Sequence, residues 1–296
     1  MSEPLPSTVI SGCDGRLGRA LTATAPVPVG GWDVPELDLD DPEACAELVR
    51  RERPRLVIHT AAMTAVDQAA RQPETAMRRN GEATGAIARA CRETGARLVL
   101  VSTNEVFDGE RTDGRGSLED DPVGPRNAYG ASKSAGEEAA LAAFGDAAGL
   151  WIVRTAWLYG PPGNDFSDKI AAAADKVDGP LPVVSDEMGT PTYALDLARA
   201  IHQLIERTYG GIYHLVNAGE ASRYDWARAV LEVRRPGREL RPISSTEFER
   251  ASEPPRWGIL DTSRAAAAGV VMRPWRAALA EYLEAERRPE RQSEQP

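Results

Sequence analysis

Compact apolar runs recur along the chain, separated by longer segments with helical punctuation. Residues 7–11 (Ser-Thr-Val-Ile-Ser), 27–32, 55–60 (Arg-Leu-Val-Ile-His-Thr), 97–101 (Arg-Leu-Val-Leu-Val) and 150–155 (Leu-Trp-Ile-Val-Arg-Thr) each carry such a run. Short runs that are apolar on successive positions suit strands covered on both faces. The intervening segments read as helices. Asp41-Pro42-Glu43 offers an N-cap and a proline at the first helical position, and Gly95 supplies a C-cap for a helix over residues 73–93. An alanine-rich run over residues 131–143 follows a loop bearing Pro122 and Pro125. Strand and helix alternate in this way up to residue 155, which predicts an α/β protein with a doubly wound parallel sheet. Beyond it the pattern is less regular. Helices are expected over 164–178, 196–207, 224–232 (N-capped by Ser222) and 274–284, with strands over 181–184 and 211–216 and an irregular stretch over 236–258.

The polar residues with chemical potential fall where the apolar runs end. The first run leads into Gly12-Cys13-Asp14-Gly15-Arg16-Leu17-Gly18 and then a helix, the context of a phosphate-binding turn. Asp33 closes the second run about 20 residues past Gly12, where an acid would hold a ribose hydroxyl. The third run exits into Ala61-Ala62-Met63-Thr64, small residues that allow backbone to approach a flat ligand, while His59 inside it reads as a buried structural histidine. The fourth exits into Ser102-Thr103-Asn104-Glu105. In an open parallel sheet, ligands lie beyond the carboxyl ends of the strands. Tyr129 and Lys133, one helical turn apart, then supply a phenol and an ammonium for one site. The ammonium is expected to lower the phenol pKa, making Tyr129 an acid for a carbonyl or alcohol oxygen. A tyrosine and lysine on an ordinary helix face, and a glycine turn with no ligand, are the competing readings. The agreement of four strand-end signals favours a reductase site, with Tyr129, Lys133 and Thr103 catalytic. Residues 1–155 are accordingly read as a dinucleotide-binding Rossmann domain. Residues 156–285 are read as a substrate-binding part with some segments returning to the sheet, and residues 286–296 as a disordered tail.

Charge and cysteine usage narrow the classes. The 296 residues carry a formal net charge of -10, which disfavours nucleic acid and anionic membrane as partners. Cys13, Cys45 and Cys91 are widely spaced and show neither a disulfide framework nor a metal-ligand spacing, so no metal site is expected. No apolar run approaches the ~18 residues of a membrane span, and the first residues lack a signal-peptide pattern, so a soluble cytoplasmic protein is expected. Lysine is scarce: Lys133, Lys169 and Lys176 are the only three.

Together these segments resemble the extended short-chain dehydrogenase/reductase superfamily and, within it, the dTDP-4-dehydrorhamnose reductase family. The resemblance runs from the glycine turn to the last helix. It is carried by residues 12–18, 59–67, 102–109, 127–133 with Gly136-Glu137, 154–160, 184–192 (Val-Ser-Asp-Glu-Met-Gly-Thr-Pro-Thr) and 260–263. It implies reduction of the 4-keto group of a dTDP-4-keto-6-deoxyhexose, with NADPH or NADH as cofactor and Tyr129 as proton donor. Gly12, Gly15, Arg16, Leu17, Gly18, Asp33, Asp38, Leu39, Ala61, Ala62, Met63, Thr64 and Asn80, with Tyr129 and Lys133, are the implied cofactor contacts. Thr103, Asn104, Glu105, Trp157 and Arg256 are the implied substrate contacts. A homodimer is compatible with the resemblance, although no carboxylate set for a shared metal is identified. Members usually carry Ser-Thr-Asp-Tyr where this chain has Ser102-Thr103-Asn104-Glu105, and Asn where it has Asp165. These departures bear on the sugar and leave open a reductase of another nucleotide ketosugar. A non-catalytic, NADP-binding regulatory subunit is the alternative from outside enzymology.

Overall fold

The computed structural model describes residues 7–145 and 149–293. Six strands build one parallel sheet: β1 (Thr8–Ser11), β2 (Gly30–Trp32), β3 (Leu56–His59), β4 (Arg97–Thr103), β5 (Leu150–Thr155) and, much later in the chain, β10 (Gly211–His214). Their order is β10-β5-β4-β3-β1-β2. The chain leaves β1 for β2 on one side and returns to β3 on the other, so the topological switch point lies at the β1 exit. All four positions of β3 and all six of β5 are buried, as continuous apolar runs require.

Helices cover both faces. On one side α2 (Pro42–Glu52), α5 (Ala83–Thr94) and α6 (Ala128–Phe144) close over Val57, Leu98, Leu100 and Ile152. On the other, α1 (Arg16–Thr24) and α8 (Ala194–Arg207) close over Ile10, Ile58, Val99 and Val153. The caps expected from sequence are present. Asp41 accepts from Ala44 N with Pro42 beside it, and Gly95 takes a left-handed conformation after α5.

The segment over 73–94 departs from the single α-helix expected. It runs as α4 (Pro73–Ala76), a π-helical turn (Met77–Glu82) and α5, preceded by α3 (Val66–Arg71). The π-helical turn swings Asn80 inward, where it is 1 % exposed. Interruptions of this kind gather at functional sites.

The remainder of the second half lies along the carboxyl ends of the main strands as three two-stranded pairs. β6 (Leu158–Tyr159) joins β9 (Thr192–Tyr193), β8 (Met188–Gly189) joins β11 (Ala221–Ser222), and β7 (Leu181–Val184) joins β12 (Leu240–Ile243). β12 sits inside the stretch expected to be irregular. Its sequence Leu-Arg-Pro-Ile hides a strand because only two of four positions are apolar, and Pro242 is tolerated on an edge. The aromatic residues Tyr159, Tyr193, Trp226 and Tyr282 pack together beneath these pairs. Ser222 caps α9 (Arg223–Arg234) through a capping box with Asp225. The last helix, Trp275–Ser293, runs well past its expected end at residue 284, so helix replaces most of the expected disordered tail. Residues 294–296 of that tail lie outside the described residues. Among the described residues, no helix is long and apolar enough to cross a membrane.

Candidate active site

The exits of β1, β3 and β4 meet the amino end of α6 along one rim. At the β1 exit, Gly12 adopts φ +69°, and a Cβ there would lie 2.8 Å from Ala61 N. A Cβ on Gly18 would lie 2.1 Å from Gly12 O, so only glycine lets α1 sit this close beneath the turn. Gly15 precedes α1 and brings no capping side chain to its free N–H groups. The turn therefore presents bare backbone donors at a helix start, the geometry a pyrophosphate requires. Leu17 contributes only backbone there, because its side chain is 5 % exposed and belongs to the core.

Several expected cofactor contacts are engaged by the protein itself. Arg16 donates from Nε to Gly160 O at 2.6 Å and from its terminal nitrogen to Pro162 O and Gly163 O, which ties the turn to the loop after β6. Asn80 accepts from Met63 N at 2.8 Å and donates to Met63 O and Ser132 Oγ, both at 3.0 Å. Both its N–H groups and its carbonyl oxygen are thereby engaged, and Asn80 ties Met63 to Ser132 of α6. Asp38 receives Asp40 N at 2.9 Å, while Leu39 leans on the core. Asp33 accepts from Asp14 N and Val34 N, each at 2.9 Å, which fixes its carboxylate beside the glycine turn. Ala61 and Ala62 are half-buried, and Thr64 is exposed. His59 is fully enclosed between Ser11 Oγ and Thr84 Oγ1, the structural role expected of it.

The chemical centre lies between β4 and α6. Asn127 caps α6 by accepting Gly130 N at 2.8 Å. A Cβ on Gly130 would lie 2.1 Å from Glu105 O, so α6 packs directly on the turn after Thr103. Tyr129 is 9 % exposed, rests on Met63, Ala69 and Ala76, and hydrogen-bonds the Thr103 side chain. Lys133 is buried on the same helix and donates to Val101 O at 2.7 Å.

The expected tuning of Tyr129 by Lys133 is overturned. Burial dominates and pushes the phenol up, the Glu105 carboxylate adds to that, and the Thr103 hydrogen bond opposes it. Lys133 points its ammonium at a carbonyl of β4, and its own burial pulls it down to about 8 against the opposing pull of Glu137. Tyr129 is therefore a firmly protonated donor, and Lys133 is the group that titrates near neutrality.

The expected substrate contacts face a charged wall. Glu105 receives Asn127 Nδ2 at 2.7 Å, and burial raises its carboxyl above the usual range while Asn127, Arg223 and Arg250 oppose the rise. Asn104 is anchored to Gly258 O at 3.2 Å. Trp157, at φ +44°, carries the Arg223 guanidinium 3.6 Å above its ring centroid and stacks on Trp226. Arg223 lies 3.8 Å from the buried carboxylate of Glu187, which also holds Arg250. Burial lowers Arg223 to about 10. Arg256 is exposed, and its backbone carbonyl accepts Met188 N. Asp165 is explained by local structure: it caps α7 (Phe166–Ala174) and accepts Gly160 N at 2.9 Å.

Sequence reasoning passed over Asn127, Glu187, Arg223 and Arg250. Asn127 carried a signal, since an asparagine two residues before a helical tyrosine is an N-cap candidate. Glu187 lay inside the quoted 184–192 segment. Arg223 and Arg250 had no local signal, because only the folded chain brings them to Trp157 and Glu187.

Replacing Glu105 by Gln is expected to lower the Tyr129 pKa, since a negative charge that opposes phenolate is removed. Phenolate absorbance titrations of Glu105→Gln against the same variant with Tyr129→Phe isolate that phenol. An unchanged or raised midpoint contradicts the electrostatic link.

Comparison with known proteins places these features. Residues 7–288 match the family model described as the RmlD substrate binding domain. The chain is 39 % identical to the dTDP-4-dehydrorhamnose reductase of Streptomyces griseus over 296 residues, covering 95 % of this chain and 94 % of that protein. Among solved structures it superimposes on a dTDP-4-dehydrorhamnose reductase from Clostridium acetobutylicum with a TM-score of 0.88 at 32 % identity, covering 96 % of this chain and 100 % of the other. The NADP complex of the dTDP-4-dehydrorhamnose reductase from Bacillus anthracis gives a TM-score of 0.86 at 31 % identity, covering 94 % and 98 %.

Proposed function

The chain belongs to the RmlD substrate binding family, that of the dTDP-4-dehydrorhamnose reductases, and from that premise we propose that it reduces the 4-keto group of a dTDP-4-keto-6-deoxyhexose, dTDP-4-dehydro-L-rhamnose first among them. The observation that carries this reading is the Thr103–Tyr129–Lys133 group, buried at the β4 exit beside a bare glycine turn. A bound NADPH or NADH supplies a hydride to the carbonyl carbon. The protein's part is to hold the sugar and manage the proton.

In this reading Thr103 and Tyr129 hydrogen-bond the keto oxygen. As the carbon–hydride bond forms, the carbonyl electron pair moves to oxygen, and Tyr129 Oη releases its proton there. The raised phenol pKa keeps that proton available at every physiological pH, and an alkoxide is basic enough to take it. Lys133, whose ammonium is held by Val101 O, is read here as a contact to the dinucleotide and not as a tuner of the phenol. Trp157, with Arg223 over its ring, is read as part of the wall beside the hexose. The exposed Arg256 and the clustered Arg223 and Arg250 supply positive charge for the diphosphate.

The test is oxidation of the dinucleotide by purified protein with dTDP-4-dehydro-L-rhamnose. Absence of turnover with this or any other dTDP ketosugar overturns the proposal. One observation favours a second sugar: the Glu105–Arg223–Glu187–Arg250 cluster replaces an aromatic hydroxyl with ionic groups beside Trp157. Comparing kcat/KM over dTDP-4-ketosugars that differ at the ring hydroxyls separates the two readings.

A pH profile follows from Lys133. Its charge is present below about 8 and lost above it, whereas Tyr129 stays protonated throughout that range. kcat/KM is expected to fall as pH rises through about 8. A limb that appears only above pH ~10, the range of a free phenol or lysine, contradicts the assignment.

A further inference from the structure

We propose that Asn127 is a positioning residue of the reduction: its one side-chain amide joins the Glu105 carboxylate, beside the proton donor, to a strap of residues 248–258, so that strap and donor are set together. The role rests on the reduction proposed above and adds to it a residue that acts through others.

Asn127 is 8 % exposed and immediately precedes α6. Its Oδ1 accepts Gly130 N at 2.8 Å. Its Nδ2 has two hydrogens and two acceptors, Glu105 Oε2 at 2.7 Å and Glu253 O at 3.1 Å. Only this orientation of the amide serves all three partners, because the carboxylate and the carbonyl need donors and the Gly130 N–H needs an acceptor. Glu105 is in turn close enough to Tyr129 for its charge to act on the phenol. Burial pushes the Glu105 carboxyl up, and donation from Asn127 is the largest opposing pull. Arg223, at the start of α9, and Arg250, on the strap, also favour the carboxylate, whereas Glu187, after β7, opposes it.

The strap is held at few points. Of positions 248–258 only Ser252, Pro255 and Gly258 are buried, and Phe248 is 51 % exposed. Ser252 donates from N and Oγ to Asp67 Oδ1, at 3.1 and 2.7 Å, in the first turn of α3. Arg250 pairs with Glu187. Pro255 lies against Gly109, which takes φ +71° and leaves no room there for a Cβ. Gly258 N donates to Met188 O at 2.8 Å, and its carbonyl accepts Asn104 Nδ2. Glu253 itself is exposed, and its carbonyl is where the strap meets the start of α6. A segment with so few buried contacts opens locally at small cost. Removing the Asn127 amide nitrogen therefore loosens the strap and releases Glu105 in one step.

The experiment replaces Asn127 by Ser and by Asp in the full chain. Both keep an oxygen that caps α6, and both remove the donors to Glu105 and Glu253. With dTDP-4-dehydro-L-rhamnose and NADPH, kcat/KM is expected to fall by about 10–10²-fold, as a displaced support costs a site. The melting midpoint and dinucleotide affinity should stay near native. Glu105 accepts from the sugar as a carboxylate, so rate is lost as pH falls through its pKa, and that pKa rises when its donor is removed. The acid limb of kcat/KM is therefore expected to move to higher pH, further for Asp, which adds a like charge. Hydrogen exchange over residues 250–258 is expected to quicken in both variants. In a Glu105→Gln background, Asn127→Ser is expected to quicken that exchange and to move no limb, since the titrating partner is gone. An unmoved limb, or exchange at the native rate, in Asn127→Ser and Asn127→Asp overturns the role and leaves the reductase reading intact. Absence of turnover in the native chain overturns that reading and the role with it.

Discussion

Tyr129→Phe is expected to cut turnover by about 10²–10⁴-fold, the usual worth of a positioned general acid. Affinity for the dinucleotide and thermal stability should barely change. The substitution removes one oxygen and keeps the ring against Met63, Ala69 and Ala76. Thr103 loses one partner but still accepts Glu105 N at 3.2 Å and stays in reach of Asn104 Oδ1 at 3.4 Å. A loss of rate with no loss of binding is therefore the signature of proton donation. Full activity in this variant would remove Tyr129 from the mechanism and return the proton to water. A loss of rate accompanied by lost dinucleotide binding would mark a structural role instead.

The value of this test increases because the electrostatics of the pair differ from what adjacency on a helix suggests. The four-residue spacing of Tyr129 and Lys133 was legible in the sequence, and both side chains do lie on one buried face of α6. What the spacing could not convey is the depth of burial and the Val101 carbonyl that captures the ammonium. Those two facts reverse the direction of the phenol shift. The parallel sheet was legible for a related reason. Strands buried on both faces must be apolar throughout, and β3, β4 and β5 are nearly so. β12 was illegible because an edge strand may carry Arg241 and Pro242 without harm. The π-helical turn at Met77–Glu82 was illegible as well, since its cause is the tertiary demand that Asn80 reach both Met63 and Ser132. The substrate wall divides in the same way. Trp157 and Glu105 sit at strand exits and could be read there, whereas Arg223, at the start of α9, and Arg250, in a later loop, meet Glu187 only in the folded chain.

The rigidity behind the site should be as measurable as its chemistry. Arg154, on β5, forms a forked pair with Glu137, on α6, with contacts of 2.7, 3.0 and 3.2 Å. The two side chains are only 3 % and 4 % exposed. Ser102 also donates to Glu137, and Arg154 reaches Glu119 O at 3.2 Å. The buried ion pair thus locks β5 to the helix that carries Tyr129 and Lys133, and Ser102 ties in β4, the strand that carries Thr103. Arg154→Ala leaves the Glu137 charge buried without its partner and is expected to cost about 3–5 kcal/mol. For a chain of this size that corresponds to a fall in the melting midpoint of roughly 5–8 °C. The double variant Arg154→Met with Glu137→Leu removes both charges together and is expected to regain most of that stability, because the desolvation penalty disappears with the pair. Turnover should remain low in it, since Ser102 then lacks its acceptor and Lys133 lacks the carboxylate that sustains its charge. In the double variant the alkaline limb of kcat/KM should move below its native position. Denaturant unfolding of the native, single and double variants, beside their pH profiles, decides the matter. A single variant as stable as native would show that the pair is not a brace. A double variant with native turnover and an unmoved limb would show that the brace has no part in placing the proton donor.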